Sequence, residues 1–356
     1  MAEADLSHIS FGLIKKGNTP KKPNKWFQTD IVWRNVIIFI LLHSLSLYAA
    51  HYLNTLGLKG LMIYLFGHVF GTFCGMGVTA GAHRLWSHRA YKARFPMRVA
   101  LMILQTIAFQ NCIYEWCRDH RTHHKFADTD ADPHNSKRGF FFSHMGWLML
   151  KKHPDVKAKG KLVDLSDLEK DPVVMFQKKY YLIMMPLLAF VFPTVLSHHL
   201  FGMTYWYSFV TVGILRYVMS LHYTWLINSA AHMVGNRPFD ENVSATDSLT
   251  ISVIACGEGW HNYHHVFPWD YKAAELGGFG TNFTSWLIDQ CAKVGLAYDL
   301  KTASEEIIKK RIQRTGDGSH PKVCRKEKDE SSEDVMVWGW DDKDMDESEK
   351  KLATKI

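Results

Sequence analysis

Three dense groups of histidines are the part of this sequence best suited to chemistry. They are His83-Arg-Leu-Trp-Ser-His88, His120-Arg-Thr-His123-His124 and His261-Asn-Tyr-His264-His265. Eight histidines at such close spacing exceed what the packing of a core requires, and neutral imidazole is a good ligand for divalent iron. Eight or nine imidazoles suffice for two metal ions and are too many for one. The spacing therefore predicts a site for two metal ions.

Four long apolar segments must position these histidines, namely 32–53, 61–80, 182–196 and 206–227. Most of them are close to the roughly 20 residues that a helix needs to cross a bilayer, and the third reaches that length with its flanking residues. One such segment alone could be a buried core helix, but four segments in two closely linked pairs favour membrane spans. We therefore predict an all-α membrane protein with four transmembrane helices, arranged as two hairpins under a helical cytosolic cap that holds the metal site.

Positive charge is concentrated before the first span and between the two predicted hairpins. The basic residues are Lys15, Lys16, Lys21, Lys22, Lys25, Arg84, Arg89, Lys92, Arg94, Arg98, Arg118, Arg121, Lys125, Lys151 and Lys152. Because basic loops stay on the cytoplasmic side of a membrane, both termini and all three histidine groups are predicted to face the cytosol. The first 25 residues contain no apolar stretch typical of a signal peptide, so the first span is expected to be the anchor.

These features divide the chain into six parts. They are a cytosolic N-terminal segment (1–30), a first transmembrane hairpin (31–85), a first part of the cap (86–180), a second hairpin (181–230), a second part of the cap (231–318) and a C-terminal tail (319–356). The end of the tail mixes acidic runs with lysine and serine, which predicts a mobile segment. The motif Val337-Trp-Gly-Trp340 within it is a candidate short anchor.

Several motifs together resemble the membrane acyl-CoA desaturases, of the stearoyl-CoA desaturase type. They are Thr79-Ala-Gly-Ala82 before the first histidine box, the three boxes themselves with Gly257-Glu-Gly-Trp260 before the third, Asp132-Pro-His-Asn-Ser-Lys-Arg-Gly139, Asn228-Ser-Ala-Ala-His232 and Arg314-Thr-Gly-Asp-Gly318. The tail motif from Val337 to Asp346 resembles insect members, particularly those of moths. Trp260 departs from the family, whose third box usually has phenylalanine at this position.

The resemblance implies two iron ions held by nine histidines. These are His83, His88, His120, His123, His124, His232, His261, His264 and His265. It also implies that Asn228 holds a water that completes one coordination sphere. Residues four apart share a helix face, so Asn228 and His232 can point into one cavity. His83 and His88 are five apart, so we expect the helix to end or bend between them. The sequence leaves open which histidine binds which iron.

The implied reaction inserts a double bond into a fatty acyl-CoA. Acid–base side chains cannot remove hydrogen from an unactivated methylene, so the difficult chemistry belongs to the cofactor and the protein supplies ligands and positioning. Reduction of O2 to two waters takes four electrons, of which the substrate provides two. The resemblance implies that cytochrome b5 and its NADH-dependent reductase supply the other two. The expected partners also include the lipid bilayer and exclude nucleic acid, and the expected location is the endoplasmic reticulum membrane.

The resemblance also implies substrate-binding residues. Those expected at the CoA head group are Asn35, Arg118, Asp119, Lys151 and Lys152, and the cationic members suit phosphate groups. Those expected along the acyl chain are Gln110, Asn111, Trp116, Thr224 and Trp225. Without the resemblance, each lysine could equally be a solvated charge and each aromatic residue a part of the core.

A stripe of glycines on the second span, at positions 67, 71 and 75, allows two interpretations. Small residues every four positions let helices pack closely in a membrane. The resemblance instead places Gly71 and Gly75 near the closed end of the acyl tunnel, where some relatives carry tyrosine and alanine. In that case the missing side chains lengthen or widen the tunnel.

Two further classes of protein remain alternatives. A membrane di-iron lipid hydroxylase would use the same type of centre but return a hydroxyl group to the substrate. A catalytically silent binding or sensor protein would keep the fold and lose ligands. Because every ligand position that the resemblance implies is filled, the sequence favours the desaturase.

Overall fold

A computed structural model of the chain describes residues 29–322 and 336–355. The predicted N-terminal segment (1–30), with its lysines, therefore lies outside the described residues except for its last two. In chain order the α-helices are α1 (Trp33–Thr55), α2 (Leu58–Met76), α3 (Phe95–Ala108), α4 (Ile113–Lys125), α5 (Phe140–His144), α6 (Pro154–Gly160), α7 (Ser166–Lys170), α8 (Pro172–Pro186), α9 (Phe192–Phe201), α10 (Tyr205–Ser208), α11 (Arg216–Asn228), α12 (Leu249–Ile254), α13 (His261–Val266), α14 (Phe283–Lys293), α15 (Glu305–Thr315) and α16 (Glu347–Leu352).

The remaining elements extend or connect these helices. Three π-helical segments follow α2, α8 and α10, and they are Gly77–Ser87, Leu187–Val191 and Phe209–Leu215. Single 3₁₀ turns occupy Ser136–Arg138, Gly146–Leu148, Ala230–His232 and Phe279–Thr281. Two antiparallel pairs of very short strands join β1 (Lys92–Ala93) to β2 (Ala297–Tyr298) and β3 (Lys301–Thr302) to β4 (Thr354–Lys355). The described part of the chain is thus mostly helical, as the sequence predicts.

Among the described residues, three helices are long and apolar enough to cross a membrane. They are Trp33–Thr55, Leu58–Ser87 and Pro172–Phe201, and they contain the first three predicted apolar segments except for Val32. The fourth predicted segment is helical throughout 205–228 but is not one of the three. Its middle carries Arg216, Ser220 and His222, which lower its hydropathy.

The outer surfaces of these helices are apolar. Leu47 on α1, Val69 on α2 and Leu182 on α8 expose 74%, 65% and 82% of their surface. Such extended apolar surface is rare on soluble monomers and marks contact with a membrane or a partner. Together with helix length, it indicates that these faces contact lipid.

A tight turn joins α1 to α2. Gly57 adopts a positive φ of 56°, which glycine reaches without a steric penalty. At Gly60, a Cβ atom would lie 1.8 Å from the carbonyl oxygen of Leu53, so the two backbones are in direct contact there. Gly60, where the backbones of α1 and α2 are closest, must therefore be glycine.

The two segments predicted to form the cap (86–180 and 231–318) contribute to two apolar cores. The larger one packs α3, α4 and α14 around the π-helical end of the second span, with Trp86, Leu101 and Ile288 buried in it. The second core surrounds Phe239 and Trp269, and it includes Val337 and Met345 from the tail. Residues 336–355 of the tail are therefore packed against the cap, whereas the composition of the tail predicts a mobile segment. The difference arises because the few apolar tail residues are buried and Lys125 pairs with the tail carboxylate of Asp342 at 3.0 Å.

Candidate metal centre

The nine predicted histidine ligands lie in two groups. One group has five members, His83, His88, His120, His124 and His264, and the other has four, His123, His232, His261 and His265. Within each group, the candidate ligand nitrogens all lie within 4.8 Å of one another. Each group can therefore surround one ion.

The ring nitrogens that face each other are close enough to share a metal. His264 Nε2 lies 2.9 Å from His83 Nε2 and 3.1 Å from His124 Nε2 in the five-histidine group. In the four-histidine group, His261 Nε2 lies 3.0 Å from His232 Nε2 and 3.1 Å from His265 Nε2. Two nitrogens at right angles, each about 2.1 Å from one ion, are about 3.0 Å apart. The spacing fits metal ligation.

The outer hydrogen bonds of the rings fix which nitrogen carries the lone pair. His83 Nδ1 lies 2.6 Å from the carboxylate of Glu258, and His123 Nδ1 lies 2.9 Å from that of Asp132. His88 Nδ1 donates to the carbonyl oxygen of Trp338. Because carboxylates and carbonyls only accept, the neutral form of each of these rings carries its proton on Nδ1 and turns a bare Nε2 toward its group. Converging lone pairs require a cation, so the donor set fits metal ions.

Each of two short helices contributes histidines to both groups. On α4, His120 and His124 belong to the five-histidine group and His123 to the other. On α13, the pair His261 and His265 belongs to the four-histidine group and His264 to the other. Residues four apart on an α-helix differ by only about 40° in direction, whereas adjacent residues differ by about 100°. Each box therefore offers a pair on one face and a single ring beside it.

A π-helix brings His83 and His88 together. In an α-helix, residues five apart would point about 140° away from each other. The segment Gly77–Ser87 is instead π-helical, and the His88 N–H donates to the His83 carbonyl at 3.1 Å. The two ring centroids lie 4.8 Å apart. This distortion of the helix is the physical form of the predicted bend, and such distortions are frequent at functional sites.

Burial keeps the imidazoles neutral. It lowers the pKa well below the ordinary histidine value for His88, His120, His124, His261, His264 and His265. Burial also lowers the pKa of His232 to about 4. Metal ligation requires the neutral ring, so at neutral pH these residues need release no proton to bind a cation.

Several residues that orient the rings were not predicted as site residues. Glu258 lies between His83 and Arg84, at 2.6 Å from each. Burial opposes ionisation of Glu258, but Arg84 and His83 hold the pKa of its carboxyl below the ordinary value. Ser244 lies 2.7 Å from His232 Nδ1. The only sequence signal for Glu258 and Asp132 is their place inside the family motifs. Trp338 lies in the tail motif that resembles insect members, and Ser244 carries no signal.

A cavity of about 360 Å³ leads to the five-histidine group. This outer cavity is lined by predicted substrate residues Asn35, Gln110, Asn111, Trp116, Asp119, Thr224 and Trp225, and by His120 and Asn228. Its volume lies within the about 300–1,000 Å³ typical of ligand pockets. The buried His134, whose ring centroid is 4.3 Å from that of His123, also lines it and was not predicted.

A smaller cavity of about 90 Å³, here termed the inner cavity, is lined by His83 and His120 of the five-histidine group. It shares Gln110, Trp116, His120, Thr224 and Asn228 with the outer cavity. Two of these shared residues are hydrogen-bonded to each other, since Gln110 Nε2 donates to Thr224 Oγ1 at 2.8 Å. This contact is termed the Gln110–Thr224 bridge. The two cavities are therefore neighbours, and both border His120.

Two glycines of the stripe on α2 have different surroundings. A Cβ at Gly71 would lie 2.9 Å from Ser220 Oγ and 3.0 Å from Arg216 Cγ, so α11 packs tightly there. A Cβ at Gly75 would meet nothing within 4 Å. Both residues line the inner cavity, but only Gly75 faces open space.

The structure brings together three of the five predicted head-group residues, Arg118, Asp119 and Lys152. Asp119 accepts from Arg118 at 2.9 Å and also pairs with Lys152. Asn35 Nδ2 donates to the Leu148 carbonyl at 2.7 Å. Lys151 lies apart from this cluster and pairs with Asp30 at 3.2 Å. Arg118, Lys151 and Lys152 do not line the cavity itself.

A known protein family matches more than half of the chain. The model of the fatty acid desaturase family matches residues 59–274. The chain belongs to the fatty acid desaturase family. The predicted family is thereby confirmed, and the three histidine boxes of this family member all lie within the matched region.

The relatives of this desaturase family member include insect and vertebrate proteins. The Acyl-CoA Delta-9 desaturase of Acheta domesticus is 53% identical over 91% of this chain and 86% of its own length. The stearoyl-CoA desaturase of Homo sapiens is 49% identical over 86% and 82% of the two chains. The Acyl-CoA Delta(11) desaturase of the moth Trichoplusia ni is 44% identical over 96% and 91%. The similarity thus covers nearly the whole chain.

Proposed function

We propose that this protein is an acyl-CoA desaturase that inserts a double bond into a fatty acyl-CoA, using O2 at a nine-histidine di-iron centre. The observation that carries the proposal is the division of nine imidazoles into groups of five and four next to two adjoining cavities. The names of the relatives support the substrate class. When bound, two iron ions supply the oxidising chemistry that acid–base side chains lack.

The residues of the chain orient the centre and the substrate. Glu258, Asp132 and Ser244 fix the directions of three ligating rings by hydrogen bonds to Nδ1. Such outer partners set the tautomer and the basicity of metal-bound histidine. The candidate ligands are all histidines. In this respect the site differs from the soluble di-iron bundles, whose ligands are rich in glutamate.

We propose that Asn228 supplies the missing position of the four-histidine group through a water. Asn228 ends α11, four residues before His232, and it lines both cavities. The four-histidine group has one ligand fewer than its neighbour. A water held by the amide of Asn228 would equalise the two.

The substrate path runs from the charged mouth to the inner cavity. Arg118 and Lys152 bind the phosphates of CoA, and Asp119 holds these two side chains in place. Lys151 and Asn35 complete the head-group site. The acyl chain follows the outer cavity past Asn111, Trp116 and Trp225, bends at the Gln110–Thr224 bridge and ends near Gly75 and Gly71.

Four membrane spans in two hairpins agree best with these positions. The helical segment 205–228 would be the fourth span, because it packs against α1 and α2 and carries its polar residues on buried positions such as Arg216 and Ser220. The histidine boxes would then all lie at the cytosolic end, where reduced cytochrome b5 can deliver two electrons. The same proposal includes an NADH-dependent reductase that reduces cytochrome b5 again. It also places the protein in the endoplasmic reticulum membrane with both termini in the cytosol.

Expression in a desaturase-deficient yeast tests the function. The wild-type chain should restore growth without added unsaturated fatty acid and yield alkene products whose double-bond positions are mapped in the lipid extract. A His120→Ala variant is the inactive control. A hydroxylated product would favour the lipid hydroxylase, and purified protein without iron would favour the silent binding protein.

A further inference from the structure

The tail motif Val337-Trp-Gly-Trp340 lies directly against His88. The carbonyl of Trp338 accepts a hydrogen bond from His88 Nδ1. Two residues later, the Trp340 N–H donates to the His88 carbonyl at 2.9 Å. The tail therefore holds both the ring and the backbone of one member of the five-histidine group.

Two cations of the cap bind the Trp338 ring. The guanidinium of Arg121 lies 4.2 Å from the ring centroid and that of Arg89 lies 4.8 Å away. Arg121 is fully buried between His120 and His123 in sequence, and Arg89 follows His88. The indole is itself only 3% exposed. Cation–π contacts with one residue inside the second histidine box and one directly after the first box thus fix the position of Trp338.

Gly339 allows the approach. A Cβ at this position would lie 2.5 Å from the His88 carbonyl oxygen and 2.7 Å from the His88 Cα atom. Both are backbone atoms that cannot move aside without shifting the ligand. A residue with a side chain here would therefore separate the tail from His88.

A buried aspartate holds the turn that presents the carbonyl. Asp342 accepts from the Trp338 N–H at 2.9 Å and from Lys125 Nζ at 3.0 Å, and it is 2% exposed. Asp344 also pairs with Lys125 but makes no hydrogen bond to Trp338 among the interactions described for residues 336–355. The two aspartates therefore share a cation and differ in their link to the turn.

We infer that residues 337–342, here termed the tail strap, are a positioning element of the metal centre. The Trp338 carbonyl fixes His88 in the Nδ1–H tautomer with Nε2 directed at the iron of the five-histidine group. Glu258 and Asp132 do the same for His83 and His123, but those partners belong to the cap. The inference rests on the proposed di-iron function. Loss of such an outer partner typically weakens metal affinity about 10–100-fold.

Iron retention tests this role independently of activity. Purified wild type, Gly339→Ala, Asp342→Asn and Asp344→Asn would be loaded with iron, and the release of iron to a chelator followed with time. Gly339→Ala and Asp342→Asn should release one of two irons about 10–100-fold faster than wild type. Asp344→Asn, the matched control, should release iron at the wild-type rate. The melting temperature of each metal-free protein reports any general loss of stability.

The outcomes separate the two proposals. Wild-type release rates in both Gly339→Ala and Asp342→Asn would overturn the role of the tail strap and leave the di-iron proposal intact. Equal acceleration for both irons, matched by a lower melting temperature of the metal-free protein, would show a structural role only and would also overturn it. A wild-type protein that binds no iron would overturn the proposed function itself. If Gly339→Ala does not fold, Asp342→Asn carries the test.

Discussion

The two histidine groups differ in how they are enclosed. The five-histidine group draws on the second span, α4 and α13, and it is held from outside by Glu258 and the tail strap. The four-histidine group has one ligand fewer, and one of its members, His265, borders a further cavity of about 1110 Å³ between cap and tail. The comparison teaches that nearly identical boxes can build unequal sites, because each helix divides its histidines between them.

Among the substitutions considered, the removal of one histidine ligand should reduce activity most. His124→Ala in the five-histidine group and His265→Ala in the four-histidine group should each abolish desaturation while membrane insertion is retained. Turnover requires both ions, so the two groups should be equally sensitive despite their unequal enclosure. Activity in the yeast lipid extract and protein level in the membrane fraction give the measurement.

His198→Ala is the control for these variants. His198 lies near the end of α9, where Nδ1 contacts the Met203 carbonyl at 2.5 Å, and it belongs to neither group. This variant should retain most activity. Inactivity equal to that of His124→Ala would contradict the proposed membrane arrangement.

Asn228→Ala should affect the four-histidine group more than the five-histidine group. If the amide holds a water on one iron, its loss should reduce activity or affinity for that iron by about 10–100-fold. The melting temperature of the metal-free protein should change little. Wild-type activity with full iron content would instead show that Asn228 only forms hydrogen bonds within the helical bundle.

Substitutions in the glycine stripe should separate tunnel from packing. Gly75→Leu adds a side chain to open space, so the preferred acyl chain should become shorter while the position of the double bond is unchanged. Gly71→Ala meets Ser220 and Arg216, so it should lower stability, by about 1–3 kcal/mol, as overpacking does. Product chain lengths and melting temperatures give the two readouts. A uniform loss of activity across chain lengths in Gly75→Leu would exclude a tunnel end at Gly75.

Acid should destabilise the metal-free protein through both groups. Burial lowers the pKa of His124 and His265 in the folded state, whereas in the unfolded chain these residues titrate near pH 6.5. Below that pH the unfolded chain binds more protons, so stability present above pH 6.5 is lost as the pH falls. Each such histidine contributes at most about 1.4 kcal/mol per pH unit. Between pH 7.5 and 5, the melting temperatures of His124→Asn and His265→Asn should fall less steeply than that of the wild type. If the variants show the same dependence on pH as the wild type, these histidines are not buried in the neutral form.

The sequence predicts the helical class, the first three apolar segments and the histidines, because apolar length and ligand spacing are local properties. It does not predict how α4 and α13 divide their histidines, since that depends on the angle at which two short helices face each other. It identifies the motif that contains Trp338 only as a candidate anchor and misses the contact with His88, because a backbone carbonyl leaves no signature in side-chain type. Gly71 and Gly75 look equivalent in sequence and differ only through what α11 places opposite each of them.

Mössbauer spectroscopy of the purified protein loaded with ⁵⁷Fe tests the central claim most directly. Two ions in unequal shells, one with five imidazoles and one with four imidazoles and a water, should give about two irons per chain and two quadrupole doublets of equal area. The Asn228→Ala variant should alter only one of the doublets. A single iron per chain, or two irons in one indistinguishable environment, would contradict the partition into unequal sites.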